Sequence, residues 1–458
     1  MSYEKAFEAL KEGDFKAAST LLEKAAEETG YTSDIINHAY TLALYRAGQK
    51  DRLAEAAFRI GESLVDTDPG SAMDYFQRAF LAGPGGLFAF DAEKLRRVGA
   101  VFEAWAAPKA AQTVSLPVKR VAHVVGCLSA SHPPAAYVRM LAASLKQQGI
   151  EPIVFTTEWA SSWFVNPVGA PELASLDAGV ETVIASVEGD FNERAERIAA
   201  SMRAYGVDVA FYHAGLNEQI TTRVAALRPA PIQVHVGKPG ETVAALFDLQ
   251  PGILPASDIE GRMEVHPPST RQGMGLESAG SVSATFGDFY KVAGSGYLHA
   301  LGEILKRFPK HFHLFAGSGD VKAIRAYLHA EGVLPRVRFL GPMSDVAPVM
   351  DVIDIYLASF PHPGEEALLD ALGAGKPVVA LRYPSDSPYN SSAEIVGVPE
   401  LIASREVEYA EIAMRLIRDR EARGRAAAAV AARFQKELHP SLLGPRYMRI
   451  VEDIVPKA

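Results

Sequence analysis

Apolar positions in the first 110 or so residues recur at helical spacing. Ala6, Leu10, Ala17, Ala18, Leu21, Leu22 and Ala25 follow that rhythm, interrupted at Gly13-Asp14-Phe15. The pattern predicts helix, turn, helix, with small residues where two helices approach closely. A weaker copy follows as Ala39, Leu42, Ala43, Leu44, then Gly48, then Leu53, Ala56, Ala57 and Ile60. A third, degenerate copy runs from Ala72 to Ala104, with its turn at Gly83-Pro84-Gly85-Gly86. No strand pattern interrupts this stretch. Such helix pairs bury their apolar faces by stacking on one another. They read either as a repeat array with a surface for a partner or as a helical cap or dimerisation bundle.

The pattern changes near Pro117. Val118 to Leu128 is a short β-branched run, Tyr137 to Gln148 an amphipathic helix closed by Gly149, and Glu151 to Thr156 the next strand. Val180 to Ser186 and Val207 to Tyr212 predict two more strands, with a helix from Asn192 to Tyr205 between them. After a Gly/Pro-rich middle the alternation restarts. Strands are expected at Ser281–Phe286, His311–Ala316, Arg336–Leu340, Ile355–Leu357 and Pro377–Leu381, and helices at Tyr297–Phe308, Lys322–His329 and Glu366–Gly373. A long Ala/Arg/Glu-rich helix is expected from Glu406 to Lys436, packing back across the lobes. Strands alternating with helices mean βαβ units and parallel sheets. The fold class is therefore α/β, two Rossmann-like lobes behind an all-α front end. The expected domains are 1–112, 113–275 and 276–458. Ligands of such sheets bind outside the carboxyl ends of the strands, so two facing lobes would form a cleft for a donor and an acceptor.

Composition narrows the class. The chain has 458 residues, which at roughly 150 per domain means about three domains. Hydrophobic residues make up 48% and charged residues 22%, enough to bury real cores. The net charge of −9 argues against a nucleic-acid footprint, which needs clustered basic surface. The single cysteine, Cys127, excludes an intramolecular disulfide and a cysteine-built zinc site, and fits a reducing compartment. It reads as a small buried residue. No apolar run reaches the roughly 18 residues of a membrane span. The N-terminus is charged and helical, unlike a signal peptide. A soluble, cytoplasmic, multidomain protein is expected.

Three segments carry candidate chemistry. His362 to Val379 reads as a strand exit, a glycine turn at Gly364 and a helix start, where free N–H groups and the helix dipole suit a phosphate. Gly364 lets the backbone come close to such a ligand. The bland reading is an ordinary turn whose carboxylates complement the dipole. Lys291 follows the first strand of the second lobe and would neutralise a diphosphate leaving group, against the usual fate of a solvated lysine. His132-Pro133 follows the first strand of the first lobe. A histidine there can act as a general base or orient a hydroxyl, although alone it is one of 12 histidines.

Resemblance ties these segments together. The run Ala9-Leu10-Lys11-Glu12-Gly13-Asp14-Phe15 resembles the middle of a tetratricopeptide repeat. Ala226-Leu227-Arg228-Pro229-Ala230-Pro231-Ile232-Gln233-Val234, followed by Gly237-Lys238-Pro239-Gly240, resembles a segment of the O-linked N-acetylglucosamine transferase and SPINDLY family. Phe286 to Val292, Ile304 to Pro309, Gly364 to Val379 and Pro399 to Ala403 are similar to further segments of that family in the same order. The resemblance spans essentially the whole chain. It implies a two-lobed GT-B fold and metal-independent, inverting transfer of a sugar from a nucleotide diphosphate to serine or threonine hydroxyls of proteins. It implies no cofactor, with a donor such as UDP-GlcNAc or GDP-fucose as substrate. A bacterial surface protein such as flagellin would suit as acceptor, and a homo-oligomer is left open. By the same resemblance, Lys291 contacts the donor phosphates, Asp370 is a donor-site aspartate, and His132 lies beside the acceptor. Gln233 and Pro239 match scaffold positions near the donor.

The departures from that pattern are acidic. Asp288 stands where the family has a glutamine, Glu365-Glu366-Ala367 where it has His-Thr-Thr, and Ser344 to Val349 where it has basic residues. Like charges about 4 Å apart cost roughly 1 to 4 kcal/mol between the dielectrics of water and a protein surface. Either these side chains point outward while the backbone binds, or the donor differs, or catalysis has been lost. The competing readings are a non-catalytic two-lobed interaction protein and a glycosyltransferase acting on a polysaccharide or lipid. The retaining members of the wider fold class use two glutamates eight positions apart, where this chain has His362 and Asp370.

Overall fold

The computed structural model describes residues 2–83, 90–106, 117–126, 133–157, 180–184, 188–237, 242–267, 269–293, 295–343, 345–383 and 391–455. The chain divides into two compact units, Met1–Leu254 with Gly444–Ala458, and Pro255–Leu443.

The first unit opens with α1 (Ser2–Glu12), α2 (Phe15–Glu28), α3 (Asp34–Arg46), α4 (Lys50–Leu64), α5 (Pro69–Ala82) and α6 (Ala92–Ala106). The arrangement is consistent with a tetratricopeptide-like domain. Local chemistry sets the boundaries. Gly13, at φ +80°, ends α1, and the Asp14 carboxylate caps α2 by accepting the Ala17 N–H at 3.0 Å. Asp68 caps α5, with Pro69 in the first helical position. Gly61 lets α4 and α5 approach, since a Cβ there would lie 2.8 Å from the Phe76 ring. The third expected turn, Gly83 to Gly86, lies largely outside the described residues.

A parallel sheet follows, built from β1 (Arg120–Val125), α7 (Pro133–Lys146), β2 (Glu151–Thr156), β3 (Glu181–Ile184), α8 (Phe191–Ala204), β4 (Val209–Tyr212), α9 (Gln219–Ala226) and β5 (Ile232–His235). Its order is β3-β2-β1-β4-β5, so the winding reverses between β1 and β4. Ile232 to Val234 of β5 fall within the run that resembles the transferase family.

The second unit holds α10 (Ile259–Val265), β6 (Ser281–Phe286), α11 (Ser295–Arg307), β7 (His311–Ala316), α12 (Lys322–Ala330), β8 (Val337–Gly341), α13 (Ala347–Met350), β9 (Ile355–Leu357), α14 (Glu365–Gly373), β10 (Val378–Leu381), α15 (Ser391–Val396), β11 (Ile402–Ala403), α16 (Glu406–Arg418) and α17 (Arg420–Arg433). Its strands run parallel in the order β11-β10-β9-β6-β7-β8, with the reversal between β6 and β9. Strands β6, β9 and β10 are buried along their whole length, as expected for sheets covered on both faces.

Two sequence expectations change. The single helix expected from Glu406 to Lys436 is broken at Asp419, whose carboxylate accepts the Ala422 N–H at 2.9 Å and starts α17 afresh. Both helices belong to the second unit, and α16 packs on α11, β10 and β11. Residues 255–275, read from sequence with the first lobe, also belong to that unit: Ile259 is fully buried in its core, and Met263 and Met274 pack against it. The chain returns to the first unit in α18 (Leu443–Glu452). There the buried Tyr447 hydroxyl donates to Gly252 O at 2.9 Å, accepts the Leu254 N–H at 3.1 Å and lies 2.8 Å from the Tyr137 hydroxyl.

The helical front end and the first sheet share one core. Val98 and Phe102 of α6 lie in the same apolar cluster as Ala122, Tyr212 and Leu246. A Cβ on Gly99 would lie 2.4 Å from Val243. Arg223 of α9, 1% exposed, pairs with Asp74 of α5 at 2.5 Å and donates to Gln77 Oε1 at 2.7 Å and Asn192 Oδ1 at 2.9 Å.

Candidate functional site

In the second unit, three strand exits meet at the reversal of the sheet. At the end of β6, Gly287 adopts φ +127° and its N–H donates to Ala316 O at 2.9 Å. At the end of β7, Gly317 comes so close that a Cβ would lie 1.8 Å from Gly287 O. Between β9 and α14, Gly364 would carry a Cβ 3.2 Å from Phe286 O. Gly317 and Gly364 permit a backbone approach that a side chain would crowd, and Gly287 a φ that side chains disfavour.

The turn Phe289–Lys291 is anchored by Phe289, which is buried against the rings of Phe315 and Phe339. The Phe289 N–H donates to Ser318 O at 2.8 Å. Lys291 folds back over the turn, with its Cδ 3.7 Å from where a Gly287 Cβ would sit and its ammonium 6.0 Å from the Tyr290 ring. The Tyr290 ring in turn lies 6.0 Å from the His362 ring, joining the β6 and β9 exits. Lys291, Asp288 and Gly364 therefore gather at one end of one sheet.

The acidic residues divide by environment. The Asp288 carboxylate accepts a hydrogen bond from the Ser318 hydroxyl of the neighbouring exit. Glu365 and Glu366 occupy the first turn of α14 and are exposed. Carboxylates there complement the helix dipole. The backbone N–H groups of Glu365, Glu366 and Ala367 have no partner within the helix, because the first such bond runs from the Leu368 N–H to Gly364 O. A phosphate at this end would meet these N–H groups.

Asp370 is held differently. It is buried, and its Oδ1 accepts from the Ser257 hydroxyl at 2.6 Å and from the Arg262 guanidinium. Arg262 also donates to Asp258 and Asp345, each at 2.8 Å. Burial pushes the Asp370 carboxyl up to about 6, against the pull of Arg262. These partners lie 108 and 113 residues away in the chain, a pairing without a sequence signal. The structure places Asp370 as a tie between α10 and α14.

Gln233 lies in the first unit, fully buried. Its amide donates to Ala225 O and Leu246 O at 2.9 and 2.7 Å and accepts from the Tyr212 hydroxyl at 2.9 Å. That position is scaffold, with all its polar atoms engaged. His132, Pro239, Cys127 and Ser344 lie outside the described residues.

At the reversal of the first sheet, between β1 and β4, the sequence reading missed a second constellation. The Glu218 side chain lies over Gly126, where a Cβ would sit 2.3 Å from Glu218 Oε1. Thr221 donates to Glu218 Oε2 at 2.6 Å, and Thr157 Oγ1 lies 2.5 Å from Thr221 Oγ1. His213, at the end of β4, contacts His123 Nδ1 through its Nε2 at 3.0 Å. Burial holds both imidazoles well below their usual range, so both are neutral.

Residues 284–419 match the family model described as "Glycosyl transferases group 1". The matched segment contains Asp288, Lys291, Gly317, Gly364 and Asp370. The chain is similar in structure to a point mutant of the Thermobaculum terrenum O-GlcNAc transferase, at 18% identity and TM-score 0.52 over 99% of this chain and 95% of that one. It is similar to a Rickettsia africae glycosyltransferase at 12% identity and TM-score 0.53, over 75% of this chain and 100% of that one. It is also similar to Anabaena HepE in complex with UDP-glucose, at 15% identity and TM-score 0.51, over 73% and 100% of the two chains. These likenesses establish a GT-B-like fold. Curated protein sequences return no match. Among the described residues, no helix is long and apolar enough to cross a membrane.

Proposed function

We propose that this protein moves a sugar from a nucleoside-diphosphate donor to a serine or threonine hydroxyl of a protein, with inversion and without a metal ion. The observation that carries this reading is the glycosyltransferase segment itself. Its glycine-lined strand exits, the N–H groups of α14 and the Lys291 ammonium meet at one end of the sheet. In such a transfer the acceptor oxygen bonds to the anomeric carbon. The bond from that carbon to the phosphate oxygen breaks, and its electron pair leaves with the nucleoside diphosphate. Charge then grows on the leaving phosphate, where an ammonium and fixed N–H dipoles stabilise it. The exposure of Glu365 and Glu366 supports binding through backbone rather than side chains. The protein acceptor rests on the sequence resemblance and on a likeness in fold along nearly the whole chain to a protein named an O-GlcNAc transferase. The helical front end offers a surface for such an acceptor.

Calorimetric titration with UDP, GDP, UDP-N-acetylglucosamine and GDP-fucose tests the donor site. One nucleotide series is expected to bind, with affinity lowered about tenfold or more by Lys291→Ala, the loss of about 1.4 kcal/mol. The acidic first turn of α14 favours a second reading, a non-catalytic scaffold. Absence of binding to every nucleotide at millimolar concentration selects that reading instead.

A further inference from the structure

The reversal of the second sheet is spanned by a single guanidinium. The strand order places β9 and the start of α14 on one side of that reversal, and β6, β7 and β8 on the other. The Gly317 N–H donates to Gly341 O at 2.8 Å, which joins the β7 exit to the end of β8. Asp345 lies beyond β8, and Asp370 in the second turn of α14, so the two carboxylates belong to segments leaving different halves of the sheet. Arg262 of α10 donates to Asp345 at 2.8 Å and to Asp370, and so ties the two segments together. Open parallel sheets receive ligands at such a reversal, outside the carboxyl ends of the strands.

Each member of this cluster is held in turn. Asp258, four residues earlier in the chain, accepts the Arg262 Nε–H at 2.8 Å. Ser257 donates to Asp370 Oδ1 at 2.6 Å and accepts the Ile259 N–H at 3.0 Å, at the start of α10. Asp345 accepts the Ala347 N–H at 2.9 Å and lies 3.0 Å from His266 Nε2. Tyr356 of β9, kept protonated by burial, and the Phe434 ring, set against Gly373 of α14, add no charge beside Asp370. All of these residues lie in the second unit. The planar fork of an arginine serves several carboxylates at once, which the point charge of a lysine does not.

We propose that Arg262 is a positioning residue of the donor site: it holds the segment after β8 and the first turns of α14 at the spacing that receives a nucleoside diphosphate. The assignment rests on the glycosyl-transfer reading above, in which the N–H groups at the start of α14 meet the phosphates. Arg262 acts through Asp345 and Asp370 rather than on the donor, because its guanidinium is taken up by three aspartates. Fixing a helix start in advance of its ligand matters, since a misplacement of about 1 Å costs on the order of 100-fold in function. The tie also responds to protons. A proton on Asp370 removes the charge that Arg262 grips, so the tie loosens as pH falls through the value of that carboxyl, about 6.

The test is calorimetric titration of the full-length protein with UDP-N-acetylglucosamine and with GDP-fucose, between about pH 5 and 8. In both donors the diphosphate is esterified at each end and does not itself titrate in that range. Wild-type affinity is expected to fall on the acid side, with its midpoint at about 6. Arg262→Met should lower affinity about tenfold or more and flatten the profile, because the tie that the proton weakens is gone. Asp370→Asn should do the same. Arg262→Lys keeps one charge and should recover part of the affinity and of the acid limb, and it serves if the methionine variant folds poorly. Arg271→Met controls for a purely structural role. Arg271 pairs with Asp354 at 2.6 Å just ahead of β9, at the opposite end of the sheet, so its loss should lower the melting temperature and leave affinity and profile unchanged. An acid limb that is missing from the wild type or survives Arg262→Met overturns the assignment, as does an equal loss of affinity in Arg271→Met. A wild-type protein that binds neither donor overturns the glycosyl-transfer reading and this assignment with it. Donor binding that Arg262→Met leaves at wild-type strength overturns only the assignment.

Discussion

Replacing Arg223 with methionine should loosen the helical front end from the first sheet. Methionine keeps most of the apolar stem and removes the guanidinium. That group donates to Gln77 Oε1 and Gln219 O at 2.7 Å, to Asn192 Oδ1 at 2.9 Å and to Asp74 at 2.5 Å. Arg223 is 1% exposed, so no water takes over its role without rearrangement. Breaking a buried ion pair by removing one partner costs about 3–5 kcal/mol. Asp74 keeps 30% of its side chain exposed and recovers part of its hydration, which places the expected loss near about 3 kcal/mol. At about 2–4 °C per kcal/mol for a unit of this size, the first unit should melt roughly 6–12 °C lower. Differential scanning calorimetry of the full chain reads the shift. Asp74→Asn, alone and combined with Arg223→Met, reads the coupling, expected at about 0.5–3 kcal/mol for partners in contact. Hydrogen exchange should accelerate in α5 and α6 first. A shift below about 2 °C with additive single changes would refute the reasoning, because it would mean that the shared apolar core alone holds the two parts together.

Acid should weaken the fold below about pH 6.5. Burial lowers His123 and His311 to about 3 and His235 to about 4, while an unfolded histidine titrates near 6.5. Between those values the unfolded chain binds more protons, so stability falls as pH falls, by up to about 1.4 kcal/mol per pH unit for each histidine. Asp370 opposes this, since its raised value makes the folded state bind the extra proton below about 6. One carboxyl against at least three histidines leaves net destabilisation, so the urea midpoint should drop between pH 6.5 and 4.5, and a flat profile there would contradict the burial argument. Gly317→Ala should push the β6 and β7 exits apart, because its Cβ would lie 1.8 Å from Gly287 O. Nucleotide affinity should then fall at least tenfold while far-ultraviolet circular dichroism stays near wild type, and unchanged affinity would place the donor elsewhere. One further expectation, loss of donor affinity in Lys291→Ala, completes the set.

Much of the second unit could be read from the chain because its signals are local. Ser281–Phe286, His311–Ala316 and Ile355–Leu357 are apolar runs bounded by Gly, Pro and polar residues, and the observed strands have those bounds. Lys291 and Gly364 were legible because each lies in the segment between a strand and the next helix, and a parallel sheet sends every strand's carboxyl end to the same side. The break at Asp419 was hidden inside an Ala/Arg/Glu-rich run with good helix propensity throughout. Only the turn in the backbone there makes the aspartate a cap. The bounds of the units were hidden too. Residues 255–275 carry a weak pattern, and their place was decided by Ile259, Met263 and Met274 finding an apolar core.

By itself the sequence determined element type, the α/β alternation, the helical front end and the segments able to approach a phosphate, since these depend on periodicity and on residues a few positions apart. Tertiary structure alone decided which polar side chains meet. Asp370 and Arg262 are 108 residues apart, and Arg223 and Asp74 are 149 apart. It also decided that Glu218, one more acidic residue on a helix boundary, lies over Gly126 at the reversal of the first sheet. Periodicity shows which face of an element is buried, but what lies against that face depends on strand order, which brings distant parts of the chain within hydrogen-bond reach.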